Sequence, residues 1–168
     1  VPGVGSSRVC ELARQALGDS YELINFGDVM LEEAMARELA GGRDDLENIP
    51  VSEMNHLQRQ AGEYIAHRAR ERHLLVDTHF MLHTAYGFVP GLPEAVLRQV
   101  NPDMLVLVEA APETIVERRE GSEHREYHEE NAQTVEFHQQ LNRSAAVTYA
   151  MHADAPIRVI SNENEIED

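Results

Sequence analysis

Apolar and polar positions along this chain follow two rhythms in turn, one near 3.6 residues and one near two. Apolar residues recur at helical spacing over residues 9–17, and Gly18 supplies a stop signal. Residues 21–26 predict a strand, and residues 28–39 an amphipathic helix ending at Gly41-Gly42. A polar stretch over 43–53 leads into a second helix over 54–72. Residues 73–77 and 103–109 predict two buried strands. Between them lie a Gly/Pro-rich segment over 87–93 and a short helix to Val100. Pro112 opens a helix running past Arg119, residues 134–151 form a long helix, and residues 156–160 predict a last strand. This alternation predicts an α/β domain, with a parallel sheet and helices on both faces.

The first eight residues, Val1-Pro2-Gly3-Val4-Gly5-Ser6-Ser7-Arg8, carry the sharpest local signal. A phosphate-binding loop has Gly, four residues, Gly, Lys, then Ser or Thr. Here Val1 to Val4 fill the four spacer places and Gly5 is the second glycine. Ser6 stands where the lysine belongs, and Ser7 holds the metal-side hydroxyl place. Glycines let successive backbone N–H groups form an anion nest at the positive end of the following helix. A plain Gly/Pro turn before a helix reads the same residues equally well.

With 168 residues the chain suits one domain, 1–168. It does not open on Met, and the loop has no strand before it. The expectation is a nearly complete domain whose first strand and last helix lie outside this stretch. No apolar run reaches the length of a membrane span. A single cysteine, Cys10, excludes an internal disulfide and suits a reducing cytoplasm. Charge narrows the picture further. The net charge is −16, and all 14 basic residues are arginine. High acid without lysine predicts a salt-rich cytoplasm, where a Debye length of about 3 Å at 1 M salt makes self-repulsion tolerable. The same charge excludes nucleic acid held through a basic surface. A hydrophobic content of 42% excludes disorder.

Over essentially its whole length the chain resembles the archaeal-type adenylate kinases. The matching stretches are the loop 1–7, Phe26-Gly27-Asp28-Val29-Met30, Arg43-Asp44, Gln58 with Ala61-Gly62, Val76-Asp77-Thr78-His79, the 87–93 segment, Glu117-Arg118-Arg119, and His138-Gln139 with Asn142-Arg143. The resemblance implies a three-layer P-loop NTPase fold whose first strand is missing from this chain. It implies reversible conversion of ATP and AMP into two ADP with Mg²⁺, and a homotrimer. It places an acceptor-nucleotide insert at 25–73 and a short lid at 120–133. Two readings stand beside it: a P-loop kinase for another small acceptor, and a degenerate nucleotide-binding module without catalysis.

Phosphoryl transfer needs neutralised phosphates and two nucleotides held in line, so cations come first. By resemblance Arg118, Arg119, Arg125 and Arg143 are the lid-region arginines, foremost Arg119 and Arg143. As residues alone they either grip phosphate in the bidentate fashion of guanidinium or balance an acidic surface. Asp77 ends a buried strand opposite the loop, where a carboxylate either holds Mg²⁺ with Ser7 or caps the next turn. In the insert, Gly27 allows close backbone approach, and Asp28 caps the helix after it. Arg43 is the expected contact for the AMP phosphate, and Gln58 for the adenine edge. His79 either touches the acceptor or packs. The chain departs from the family pattern at Glu47 and Asn48, at Tyr127 and His128 in the lid, and at Arg8 inside the first helix.

Overall fold

The computed structural model describes residues 1–120 and 131–163. Helix α1 (Ser6–Leu17) starts directly on Gly5 and stops at Gly18, whose N–H donates to Arg14 at 3.0 Å. Strand β1 (Tyr21–Asn25) runs straight into α2 (Phe26–Ala36). A 3₁₀ turn (Arg43–Asn48) and α3 (Val51–Arg68) follow. Then come β2 (His73–Asp77), β3 (Met81–Thr84), β4 (Gly87–Pro90) and α4 (Glu94–Val100). Strand β5 (Leu105–Glu109), α5 (Pro112–Glu120), α6 (Ala132–Ala153) and β6 (Ile157–Ser161) complete the order.

The parallel strands form two pairs, β1 with β2 and β5 with β6. No ladder joins the pairs among the described residues. Helix α1 packs on β1 and β2, and α6 on β5. The architecture is therefore α/β, with parallel strands flanked by helices. The main core gathers Ile24 of β1, Met30 of α2, Leu57 and Ile65 of α3, Val96 of α4, Leu107 of β5 and Tyr149 of α6. A smaller cluster of Val4, Ala110, Ile115 and Val135 lies against the N-terminal loop. Val4 is thus a core residue, which anchors the loop by burial as well as by hydrogen bonds.

Two sequence expectations change. Part of the Gly/Pro-rich segment is strand, because β3 and β4 pair as an antiparallel hairpin closed at Gly87, with φ of +108°. Its Phe88 packs edge-on against Phe137 and His138 of α6. The cap of α2 is Asn25, whose side chain accepts the Asp28 N–H at 3.1 Å, and not Asp28. The helix begins two residues earlier than Asp28, so Asp28 sits within its first turn, where a carboxylate suits the helix dipole.

Buried polar groups of α6 hold the connections that carry the site. Gln139 brackets Ala110, accepting from its N–H at 3.4 Å and donating to its carbonyl at 3.0 Å. Asn142 accepts the Met81 N–H at 3.0 Å, and His138 Nε2 donates to the Met81 carbonyl at 3.0 Å. The Tyr149 hydroxyl donates to the Phe80 carbonyl at 2.8 Å and accepts the Leu92 N–H at 3.3 Å. Gly91 closes against the same connection. A Cβ there would lie 1.8 Å from the His79 carbonyl oxygen, so only glycine fits.

Candidate active site

Asn25, Asp77, Glu109 and Ser161 end the four parallel strands, and the residues expected to bind ligand gather near those ends. This is where open α/β sheets bind ligands, because loops and helix N-termini converge there. The loop is the centre of the arrangement. Gly3 and Gly5 adopt φ of +85° and +83°, a region that disfavours side chains. At Gly3 a Cβ would also come within 3.0 Å of Arg119 Cγ and 3.3 Å of Ile115. The N–H groups of Gly3, Gly5, Ser6 and Ser7 take no hydrogen bond among the described residues. These four donors, on either side of the bonded Val4 N–H, lie at the start of α1, where anionic oxygens are favoured. The first turn of α1 carries no acidic residue to compete.

Ser7 and Asp77 meet as expected. Ser7 Oγ donates to Asp77 Oδ2 at 2.7 Å, and Asn25 Nδ2 donates to the same oxygen at 3.3 Å. Asp77 is 7% exposed. Among the described residues no cluster of three or more His, Cys, Asp or Glu gathers around a point. A metal here would be held by hard oxygen donors, Ser7 and Asp77, with water and phosphate completing its shell, which suits Mg²⁺. The donor set fits that ion. Cys10 lies half-buried nearby, and burial first, then the Asp77 carboxylate, pushes its thiol up to about 11. It is therefore a protonated packing group at neutral pH.

At the end of β1, Asn25 Oδ1 accepts from Arg43 at 3.4 Å as well as from the Asp28 N–H. Arg43 also pairs with Asp28. At Gly27 a Cβ would lie 3.2 Å from Asn25 Oδ1, tighter than an ordinary contact, so glycine eases the approach of that side chain. Ser7, Asp77, Asn25 and Arg43 thus form one continuous hydrogen-bonded chain from the loop to the 3₁₀ turn. The sequence reading left Asn25 out. Its signal was the helix-cap pattern, Asn followed three residues later by an acidic residue at a helix start.

Gln58 is 1% exposed, and its Nε2 donates to the carbonyls of Pro90 at 2.8 Å and Gly91 at 3.3 Å. Its Oε1 is buried and accepts no hydrogen bond among the described residues. His79 is half-buried, and burial pushes its imidazole down to about 3. It carries no charge at neutral pH and so adds no cation for a phosphate.

The arginines divide. Arg119 is 3% exposed and lies against the loop, donating from Nε at 2.9 Å and Nη2 at 2.7 Å to the Pro2 carbonyl. Arg118 donates to the Asn162 carbonyl at 2.9 Å and to the Val4 carbonyl at 3.5 Å. Both therefore grip the loop in this structure. Arg143 is more open. It makes a forked pair with Glu109, at 2.6 and 3.2 Å, and a further contact to Glu136 at 3.2 Å. These bonds, that to Glu109 foremost, raise its pKa further. Arg125, Tyr127 and His128 lie outside the described residues. Arg8 is exposed on the first turn of α1.

A cavity of about 610 Å³ opens between β1, α2 and α3. Its lining includes Glu22, Asp28, Glu32, Glu33 and Glu63, which disfavours a phosphate there. No helix among the described residues is long and apolar enough to cross a membrane.

Comparison with known proteins agrees with this geometry. A family model described as an AAA domain matches residues 1–136. The adenylate kinase of Pyrococcus horikoshii is 39% identical over 165 residues, covering 98% of this chain and 84% of the relative. That of Methanothermobacter thermautotrophicus is 40% identical, covering 98% of this chain and 88% of the relative. That of Methanocaldococcus jannaschii is 40% identical, covering 100% of this chain and 89% of the relative. Phosphate-binding loop, strand-end carboxylate and extended likeness converge, and the chain belongs to the adenylate kinase family, a group of P-loop nucleoside monophosphate kinases.

Proposed function

We propose that this protein transfers the terminal phosphoryl group of ATP to AMP, reversibly and with Mg²⁺, giving two ADP. The observation that carries the reading is the hydrogen-bonded chain Ser7–Asp77–Asn25–Arg43. It ties a phosphate-binding loop to an exposed arginine on the acceptor segment, as a two-nucleotide reaction needs.

The roles follow from charge and position. The N–H groups of Gly3, Gly5, Ser6 and Ser7, without a partner among the described residues, receive the donor phosphates at the positive end of α1. Val1, Pro2, Val4 and Arg8 complete the ATP-side segment. Ser7 and Asp77 would hold Mg²⁺, which would supply neutralising charge for the donor phosphate. Arg43 exchanges Asp28 for the AMP phosphate above Gly27. Gln58 Oε1 offers an unused acceptor for the amino group of adenine. Arg143 exchanges its carboxylate partners for phosphate; Arg125, a further lid-region arginine, lies outside the described residues. Arg118 and Arg119 keep the loop in the shape that presents its N–H groups. Phosphoryl transfer asks for this positioning and electrostatics, with no covalent intermediate on the protein.

An acceptor screen tests the reading. ATP with Mg²⁺ is offered AMP, CMP, UMP and GMP, and phosphorylation concentrates on AMP. Equal or preferred use of another acceptor refutes the adenine assignment while leaving the kinase class intact. The same reading carries a homotrimer in a salt-rich cytoplasm, checked by solution mass and by activity in molar KCl.

A further inference from the structure

We infer that Asn162, the residue just past β6, is a positioning residue for the donor nucleotide, acting through the Val4–Gly5 peptide of the loop. This rests on the reading of the loop as the ATP phosphate site. The backbone N–H of Asn162 donates to the Glu109 carbonyl at 2.7 Å, which fixes the residue beside the end of β5. Its carbonyl accepts from Arg118 Nη2 at 2.9 Å. With its backbone held at both groups, the side chain reaches across to donate from Nδ2 to the Val4 carbonyl at 2.9 Å.

That last bond sets a direction. A trans peptide carries its C=O and N–H on opposite sides, and no peptide among the described residues is cis. Holding the Val4 oxygen toward Asn162 therefore turns the Gly5 N–H away from Asn162, onto the side left free for an anion. Arg119 does the same one peptide pair earlier, since its bonds to the Pro2 oxygen turn the Gly3 N–H away from Arg119. The two braces act on alternate peptides, and the donors they orient are ones without a partner among the described residues. Gly5 is closely fitted to the brace. A Cβ at Gly5 would lie 2.5 Å from Asn162 Nδ2, so the carboxamide occupies the space a side chain would need. With no lysine in the loop and Ser6 in its place, the direction of these N–H groups matters more than usual for binding phosphate.

Asn162→Asp tests this directly. Aspartate has the same shape but offers only acceptors, so it turns the bond to Val4 into a repulsion. Asn162→Ala removes the group altogether. Full-length protein is assayed at saturating AMP with ATP varied, and then the reverse, alongside thermal unfolding. The expected result is a rise in KM for ATP of about fivefold to tenfold in both variants, from one lost oriented bond. KM for AMP is expected to stay at the wild-type value, and the unfolding midpoint to move by less than about 4 °C. A wild-type KM for ATP in folded Asn162→Asp overturns the inference. A loss of fold in both variants also overturns it, because Asn162 is then structural. Failure of the wild-type protein to use ATP at all overturns the reading of the loop itself, and that outcome is separate from either variant.

Discussion

Arg119 offers the clearest quantitative prediction, because two chemistries are open to it. The residue is 3% exposed and directs both Nε and Nη2 at the Pro2 carbonyl. Its aliphatic stem also lies under Gly3. Replacing it with lysine keeps the charge but leaves a compact ammonium on a flexible stem, without the planar fork. One of the two charge-assisted bonds to Pro2 is then lost. Bonds to charged groups contribute about 1.5–3 kcal/mol each, against a total stability of about 5–15 kcal/mol for a domain. Arg119→Lys is therefore expected to lower the unfolding free energy by about 1.5–3 kcal/mol in urea titrations. Because the Pro2–Gly3 peptide loses its brace, ATP affinity is expected to fall about tenfold. The catalytic rate at saturating ATP is expected to stay within about threefold of wild type. The opposite pattern, unchanged stability and ATP affinity with a hundredfold loss of rate, would refute the brace and put the guanidinium on the reacting phosphate.

Other consequences follow from the same geometry. Asp77→Asn keeps the size and the acceptor for Ser7 and Asn25 but removes the anion, so the Mg²⁺ concentration for half-maximal rate is expected to rise at least about tenfold, read by metal titration. An unchanged Mg²⁺ requirement would place the ion elsewhere. His79 is held neutral by burial, so its contribution is present above its unfolded pKa of about 6.5 and is lost as pH falls toward about 3. The unfolding midpoint of wild type is expected to fall more steeply than that of His79→Gln between pH 6.5 and 4.5. Parallel curves would show that the imidazole protonates without cost.

Much of this arrangement is legible in the residues because it depends on local chemistry. The helix-to-strand alternation, the glycines of the loop and the acid ending β2 announce themselves through period, φ preference and charge. The β3–β4 hairpin is hidden because its strands are only four residues long and β4 begins with Gly87 and ends with Pro90. Its stability comes from packing Phe88 on α6, a contact far away in sequence. Asn25 takes the capping place expected of Asp28 for a similar reason, since either residue type can cap a helix and only the turn decides. The largest shift concerns motif residues that serve the backbone. Gln139 and Asn142 stand in family-like stretches, yet each satisfies a buried connection. Arg119 stands in such a stretch as well, and the carbonyl it meets belongs to a residue 117 positions away. Asn162 has no local signal beyond following a strand, because its meaning lies in a carbonyl 158 residues away.

The most direct measurement is ADP formation from ATP and AMP by the full-length protein, in molar KCl with Mg²⁺, compared with Arg143→Ala. Arg143 is exposed and bound only by carboxylates among the described residues, so its loss should leave the fold intact. The expected result is turnover that requires AMP in the wild type and falls at least about a hundredfold in the variant. ATP binding by a folded wild-type protein, without AMP-dependent turnover, would contradict the kinase assignment and leave a nucleotide-binding module in its place.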